Sequence, residues 1–347
     1  MKPIEPGELD ILKALFAQRQ DGQYHITAML PMPLRPKAGE ANDLFRLADD
    51  LLIAQPAYLS TIISTLAQSI VPIVAMVHGE DTMRCLGTGF FVSATGLLIT
   101  AAHVITDPIE RSYGGIRKMD ERSWFMGDLK VGVMMSVGLN RDAWEFRKIE
   151  WAEFLSEPRE RPLPIQGQDL KLASDIAICK VESVPGSIYQ PLSTIQTGIR
   201  GSGLAVGKTA TAVGYGAMQD TDLEQHRPGV VSGTFGFDLY VSTGAILEHL
   251  PDNAVNRQAF TPGPCFRAAL KLPGGMSGSP IFDDEGIYVH GVASSGMEEP
   301  EGLASHGYGS MLAASMQIPI GRLEGQSLLD LLRSGNHGMI RLNIAGS

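Results

Sequence analysis

In Gly274-Gly275-Met276-Ser277-Gly278-Ser279-Pro280 the serine at 277 is flanked by glycines at 275 and 278, with Ser279 and a proline closing the run. A nucleophilic serine needs an exposed Oγ and backbone N–H groups aimed at the oxyanion that develops on its target. Glycines on both sides permit the tight backbone that supplies them. The donors are expected to be the amides of Gly275 and Ser277. Taken alone, the same composition also makes an ordinary turn. One alternative is excluded: a G-x-S-x-G elbow needs glycine where Ser279 stands, and Pro280 leads into strand-like residues rather than a helix.

Two stretches upstream give this serine partners. In Gly96-Leu97-Leu98-Ile99-Thr100-Ala101-Ala102-His103-Val104, an apolar run ends in two alanines. That places His103 at the end of a buried strand with room around its ring, as a general base requires. By itself a histidine in an apolar run is more often a satisfied core residue. In Ser174-Asp175-Ile176-Ala177-Ile178-Cys179-Lys180-Val181, an aspartate stands at the mouth of an apolar strand. There it can accept the Nδ1–H of a histidine and fix its tautomer. Alone, Asp175 reads as a turn residue. The order histidine, aspartate, serine joins the three signals into one, because subtilisins and α/β-hydrolases place the same residues in other orders.

Outward from these motifs the chain is rich in strands. IVPIVAMV, LGTGFFVS, GLLITAAHV, VGVMMSVG and DIAICKVE form one set, and TATAVGYG, VVSGTFGF, CFRAALKL, SPIFDD and IYVHGVAS a second. Turn residues separate them about every 8–12 positions, the spacing of a sandwich or barrel. The 39 glycines among 347 residues exceed the usual share and suit many tight turns. Before residue 70 the period is helical: Leu9, Leu12, Leu15 and Phe16 share one face. After Asn42 as N-cap, so do Leu44, Leu47, Ala48, Leu51 and Leu52. Met29–Lys37 carries three prolines and reads as an extended linker, and a third helix is expected from Ala57 to about Ser69. Leu323–Arg333 reads as a final amphipathic helix. The expected domains are a helical extension (1–69), a first β unit with an inserted surface loop within 107–168 (70–190), and a second β unit with the C-terminal helix (191–347).

Composition narrows the function. With 28 basic against 38 acidic residues the net charge is −10, and no basic run is present to neutralise a phosphate backbone, so nucleic acid is not an expected partner. Gly207-Lys208-Thr209 lacks the glycine a phosphate loop needs at Ser202, and Glu298, Glu299 and Glu301 read as a solvated loop, so neither a cofactor nor a metal is expected. Cys85, Cys179 and Cys265 are odd in number and scattered, reading as small buried residues in a reducing compartment. Met1–Asp10 holds three acids and no apolar core of a signal sequence, so a cytoplasmic protein is expected. Pro56–Val77 is uncharged and long enough to span a membrane, but its second half fits a barrel strand, and no membrane role is expected.

On the blocks SIVPIVAMV, GTGFFVSATGLLITAAHV, SDIAICKV, GKTATAVGYG and GGMSGSPIFDDEGIYVHGVASSG, the sequence resembles the trypsin-like serine peptidases, most closely the bacterial branch with HtrA-like and glutamyl-endopeptidase-like enzymes. The resemblance implies an all-β fold of two six-stranded antiparallel β-barrels, with His103 and Asp175 on the first and Ser277 on the second. It implies a serine endopeptidase acting on protein or peptide substrates bound across the cleft. It places Lys271 at the floor of the pocket for the residue before the scissile bond, with Ala293, Ser294, Ser295 and Gly296 as its wall. Basic side chains are then disfavoured, and uncharged or acidic ones admitted. Only residues 297–347 follow the serine block, so no PDZ domain is expected. Met276 stands where zymogen-derived relatives carry an aspartate that pairs with a new N-terminus, so restraint is expected instead from the N-terminal helices, packed on the barrels or docking a regulatory partner. The alternative function is a catalytically inactive homologue that binds a peptide or scaffolds a partner; ester hydrolysis by the same machinery is a further rival.

Overall fold

The computed structural model describes residues 43–46 and most of residues 66–339; residue 67 and stretches including 77–80, 111–116, 138–142, 193–203, 251–260, 284–287 and 298–304 lie outside the described residues. After β1 (Asp43–Arg46) come β2 (Ile70–Met76), β3 (Thr82–Phe91), β4 (Leu97–Thr100), helix α1 (Ala102–Glu110), the short β5 (Arg117–Lys118) and β6 (Ser123–Phe125), β7 (Lys130–Val137), β8 (Ala143–Phe154), the hairpin of β9 (Pro158–Ile165) and β10 (Gln168–Leu172), and β11 (Ala177–Val181). Six of these pair antiparallel in the order β11-β4-β3-β2-β7-β8, and β8 pairs back on β11 to close a barrel. Closure leaves no free edge among the six. Pro72, which cannot donate to a ladder, sits just outside the β2–β7 pairing, which begins at Ile73.

The second half runs through β12 (Thr209–Gly216), β13 (Thr221–Asp222), β14 (Glu224–Arg227), β15 (Val230–Ser232), β16 (Asp238–Leu250), β17 (Cys265–Ala268), β18 (Pro280–Phe282), β19 (Val289–Met297) and β20 (His306–Met311), then helices α2 (Leu312–Ser315) and α3 (Leu328–Ser334). The order β16-β12-β18-β19-β20-β17, closed by β16 on β17, makes a second six-stranded antiparallel barrel. The C-terminal segment returns to the first barrel. Leu312, Met316, Ile320, Leu328 and Leu331 are buried in the same cluster as Phe91, Leu97 and Val181. The Glu153 carboxylate of β8 accepts from the amides of Gly321 (2.7 Å) and Arg322 (3.1 Å), fixing the approach to α3.

Two expectations change, at Asp43–Arg46 and at His103. Asp43–Arg46, expected within a helix, is a strand: it pairs antiparallel with β16 over Tyr240–Thr243, on the edge that β17 takes up only from Ile246 onward. Unpaired backbone groups on that edge outweigh a weak helical periodicity. Within 107–168, β7 and β8 are barrel strands, and β6 adds to the edge of β8. His103 lies in the first turn of α1, since β4 ends at Thr100. Other parts of the N-terminal reading, including the helical faces before residue 42 and the proline linker, lie outside the described residues. Of the third helix, Leu66, Gln68 and Ser69 are helical. Among the described residues no helix is long and apolar enough to cross a membrane.

Candidate active site

Strand pairing brings histidine and aspartate together. Ala177 of β11 lies opposite Thr100 of β4, so stepping outward in antiparallel register sets Asp175 against Ala102 and His103. There the backbone amide of His103 donates to Asp175 Oδ1 (2.9 Å) and the ring Nδ1 to Oδ2 (2.8 Å). A carboxylate only accepts, so Nδ1 carries the proton and Nε2 is left as the basic nitrogen. Asp175 is 2% exposed. Burial works to raise its pKa, but the His103 charge and the bonds from the His103 ring, the Ser294 hydroxyl and the His103 amide hold it below the ordinary aspartate value.

Ser277 comes from the second barrel, on the loop between β17 and β18. Its backbone is bent by two glycines in left-handed conformations, Gly275 (φ +98°) and Gly278 (φ +89°). At Gly278 a side chain is doubly forbidden, because a Cβ would also lie 2.0 Å from Thr88 O. The two peptides that carry the Gly275 and Ser277 amides are held by their carbonyls: Gly274 O accepts from Ala217 N (2.8 Å) and Met276 O from Ser279 N (3.0 Å). In a trans peptide the N–H points opposite to the C=O, so anchoring each carbonyl aims each amide. Among the described residues neither amide has an acceptor. The Met276 side chain is buried in the second barrel's core and anchors the loop from beneath.

Ser294 links the two halves. Its hydroxyl donates to Asp175 Oδ2 and accepts from Thr261 Oγ1 (2.8 Å), while its carbonyl accepts the hydroxyl of Ser277 (2.8 Å). The sequence placed Ser294 in a pocket wall, yet its side chain is buried and turned to the carboxylate. A small hydroxyl in a run such as Ala293-Ser294-Ser295 carries no local signal of that role. Of the other expected pocket residues, Ala293 is buried in the second barrel's core, Ser295 is half-buried, and Lys271 and Gly296 are exposed. Leu272 packs against two glycines here: a Cβ on Gly296 would be 2.2 Å from Leu272 O, and one on Gly307 2.5 Å from Leu272 Cδ1.

A model of the trypsin-like peptidase domain matches residues 87–289, more than half of the chain and the segment that holds His103, Asp175 and Ser277. The chain belongs to the trypsin-like peptidase family. Among solved structures this trypsin-like peptidase is similar to Deg5 at 15% identity and a TM-score of 0.42, over 74% of this chain and 90% of that one. It is similar to neuropsin, a serine protease expressed in the limbic system of mouse brain, at 15% and 0.42 over 72% and 92%. It is also similar to the HtrA-type protease AlgW, solved with a decapeptide, at 14% and 0.41 over 74% and 65%. No curated protein matches the sequence. Among the described residues of this trypsin-like peptidase, no three histidine, cysteine or acidic side chains are grouped to hold a metal ion.

Proposed function

We propose that this trypsin-like peptidase is a serine endopeptidase working through an acyl-enzyme. The observation that carries the reading is the doubly bonded His103–Asp175 pair, joined through Ser294 to a serine flanked by two outward-aimed amides. When a substrate carbonyl enters, the Ser277 hydroxyl turns from Ser294 O to Nε2 of His103, a rotation about its own χ1. Oγ attacks the carbonyl carbon as Nε2 takes the proton, and Asp175 stabilises the imidazolium. The oxyanion meets the amides of Gly275 and Ser277. Collapse of the tetrahedral species passes the proton to the leaving amine, and water, activated by the same Nε2, releases the acyl group.

The substrate class follows from resemblance and local packing. The side chain before the scissile bond is assigned to the space between Lys271–Pro273 and Ser294–Gly296, where the close approach of Leu272 O to Gly296 favours a shallow site. We take the preferred residues to be small and uncharged, with lysine and arginine repelled by the Lys271 ammonium. A peptide-library cleavage profile with Ser277→Ala as control tests both parts. Cleavage after small residues that vanishes in the variant supports them; efficient cleavage after arginine contradicts the pocket assignment. The competing reading, an inactive peptide-binding homologue, draws on the engagement of the Ser277 hydroxyl by Ser294. A serine-directed fluorophosphonate that fails to react would favour it.

Control is assigned to the N-terminal extension. Its strand β1 sets Arg46 opposite Tyr240, and the Tyr240 ring lies against Gly216 beside Pro273 and Met276 of the oxyanion loop. Docking or release of this segment, by itself or through a regulatory protein, would bias the loop. The thiols of Cys85, Cys179 and Cys265 support a reducing, cytoplasmic location.

A further inference from the structure

Thr88 is fully buried on β3, between Gly87 and Gly89, in the first barrel, yet most of its hydrogen bonds reach the second. Its hydroxyl donates to Gly275 O (2.8 Å) and accepts from the amide of Tyr215 on β12 (3.0 Å). Its backbone amide donates to Ser277 O (2.7 Å). Its carbonyl accepts from Thr100 Oγ1 (2.6 Å), and Thr100 ends the strand that leads into His103. The approach is tight throughout: a Cβ on Gly87 would lie 2.8 Å from Ser277 O.

We propose that Thr88 is the positioning residue of the oxyanion loop, holding the peptide between Gly275 and Met276 so that the amides on either side converge on one oxygen. The inference rests on the peptidase reading above. The peptides carrying the Gly275 and Ser277 amides are anchored within the second barrel, through Ala217 and Ser279. In the peptide between them the N–H of Met276 closes a local turn onto Pro273 O (3.1 Å), while the carbonyl of Gly275 is held from the first barrel, by the Thr88 hydroxyl. Because peptide units are rigid and turn about φ and ψ, rotation of that middle unit tilts both neighbours. The same side chain thereby ties the alignment of the amides to the strand that leads to the histidine, so the hole is aligned when the barrels are in register.

The test uses the full chain with Thr88→Val, which keeps shape and loses the hydroxyl, and Thr88→Ser, which keeps the hydroxyl. Turnover of a small ester is measured beside affinity for a peptide boronic acid, whose tetrahedral adduct places an oxygen on the two amides. For Thr88→Val the expected result is a fall in kcat of about 10–100-fold with KM within about threefold, and an equal loss of boronate affinity, since deleting one oxyanion donor outright costs about 10²–10³ in kcat. The pH midpoint of activity stays in place because His103 is untouched, and Thr88→Ser recovers most of the loss. If Thr88→Val does not fold, Thr88→Cys, a weaker donor of similar size, takes its place, with an expected loss of about 3–30-fold in both readings. A folded Thr88→Val or Thr88→Cys with unchanged kcat and boronate affinity overturns the inference, as does a Thr88→Ser no better than Thr88→Val. Wild-type protein that neither turns over the ester nor reacts with a fluorophosphonate overturns the peptidase reading, and this inference with it.

Discussion

Asp175 keeps its negative charge although almost none of its surface reaches solvent, because three hydrogen bonds replace the water it has lost, two from His103 and one from Ser294, and positive charge on His103 favours the carboxylate further. Asp175→Asn preserves the shape but can donate to Nδ1, which turns the imidazole to the wrong tautomer; kcat is expected to fall by about 10⁴ with little change in KM. The carboxyl's folded pKa lies below its unfolded one, so its stabilisation is complete above the ordinary aspartate value near ~4 and is lost as pH falls through the lower folded value. The gap in Tm between wild type and Asp175→Asn is therefore expected to narrow below about pH 4, which thermal melts across pH would show. His103, Asp175 and Ser277 could be nominated as a candidate triad from the sequence because His103 and Asp175 sit at the ends of apolar runs, Ser277 lies among glycines, and their order along the chain is informative. Ser294 and Thr88 were not. A lone hydroxyl in a strand looks the same whether it faces solvent or clamps a loop, and only tertiary placement tells the two apart.

At the scale of elements, legibility followed amphipathic pattern. The apolar β2, β4 and β11 were readable; β8 was not, because Glu145, Arg147, Lys148, Glu150 and Glu153 punctuate it. Tertiary contacts hold these charges: Glu145 pairs with Arg147 (2.6 Å), and Glu153 caps the C-terminal segment. The expected helix Leu323–Arg333 is present as α3 over Leu328–Ser334, with Ser327 and Asp330 forming a reciprocal capping box at its start. Ser327→Ala is expected to cost about 1 kcal/mol. Leu331→Ala, which empties a site within the shared core, should cost about 2–5 kcal/mol, and denaturant unfolding measures both. The strand β1 was hidden by apolar residues at helical spacing. If its docking orders the oxyanion loop, a chain lacking residues 1–46 loses kcat on a small ester while remaining folded. Unchanged turnover in that truncation would leave β1 as a stabilising extension only.

On the scale of the whole molecule, the site exists only where two closed barrels meet. β13, from the second half, pairs with β3 of the first barrel, and Asp220 beside it accepts from the Arg84 guanidinium (2.8 Å) and the Cys85 amide (2.9 Å). The Arg84–Asp220 pair is partly exposed and worth no more than about 1 kcal/mol, so the register rests more on apolar packing, the β13–β3 pairing, the Ser294–Asp175 bond and the Thr88 bonds. The thiol of Cys85 is pushed up to about 12 by burial and by Asp220, which disfavours its thiolate. Two barrels could be anticipated from the sequence, but how each closes could not, since closure depends on β8 and on the thirteen-residue β16, whose glycine and charged residues mask its alternation. In the proposed mechanism His103 from one barrel and Ser277 from the other act as one chemical unit, and that unity can be measured. It is tested most directly by kcat/KM for peptide hydrolysis in Ser277→Ala, His103→Ala and the double variant. Each single change is expected to abolish all but the residue of activity due to binding and the oxyanion hole, and the double variant to be no worse than either single one. Losses that multiply, or a His103→Ala enzyme that still cleaves peptides, would contradict it.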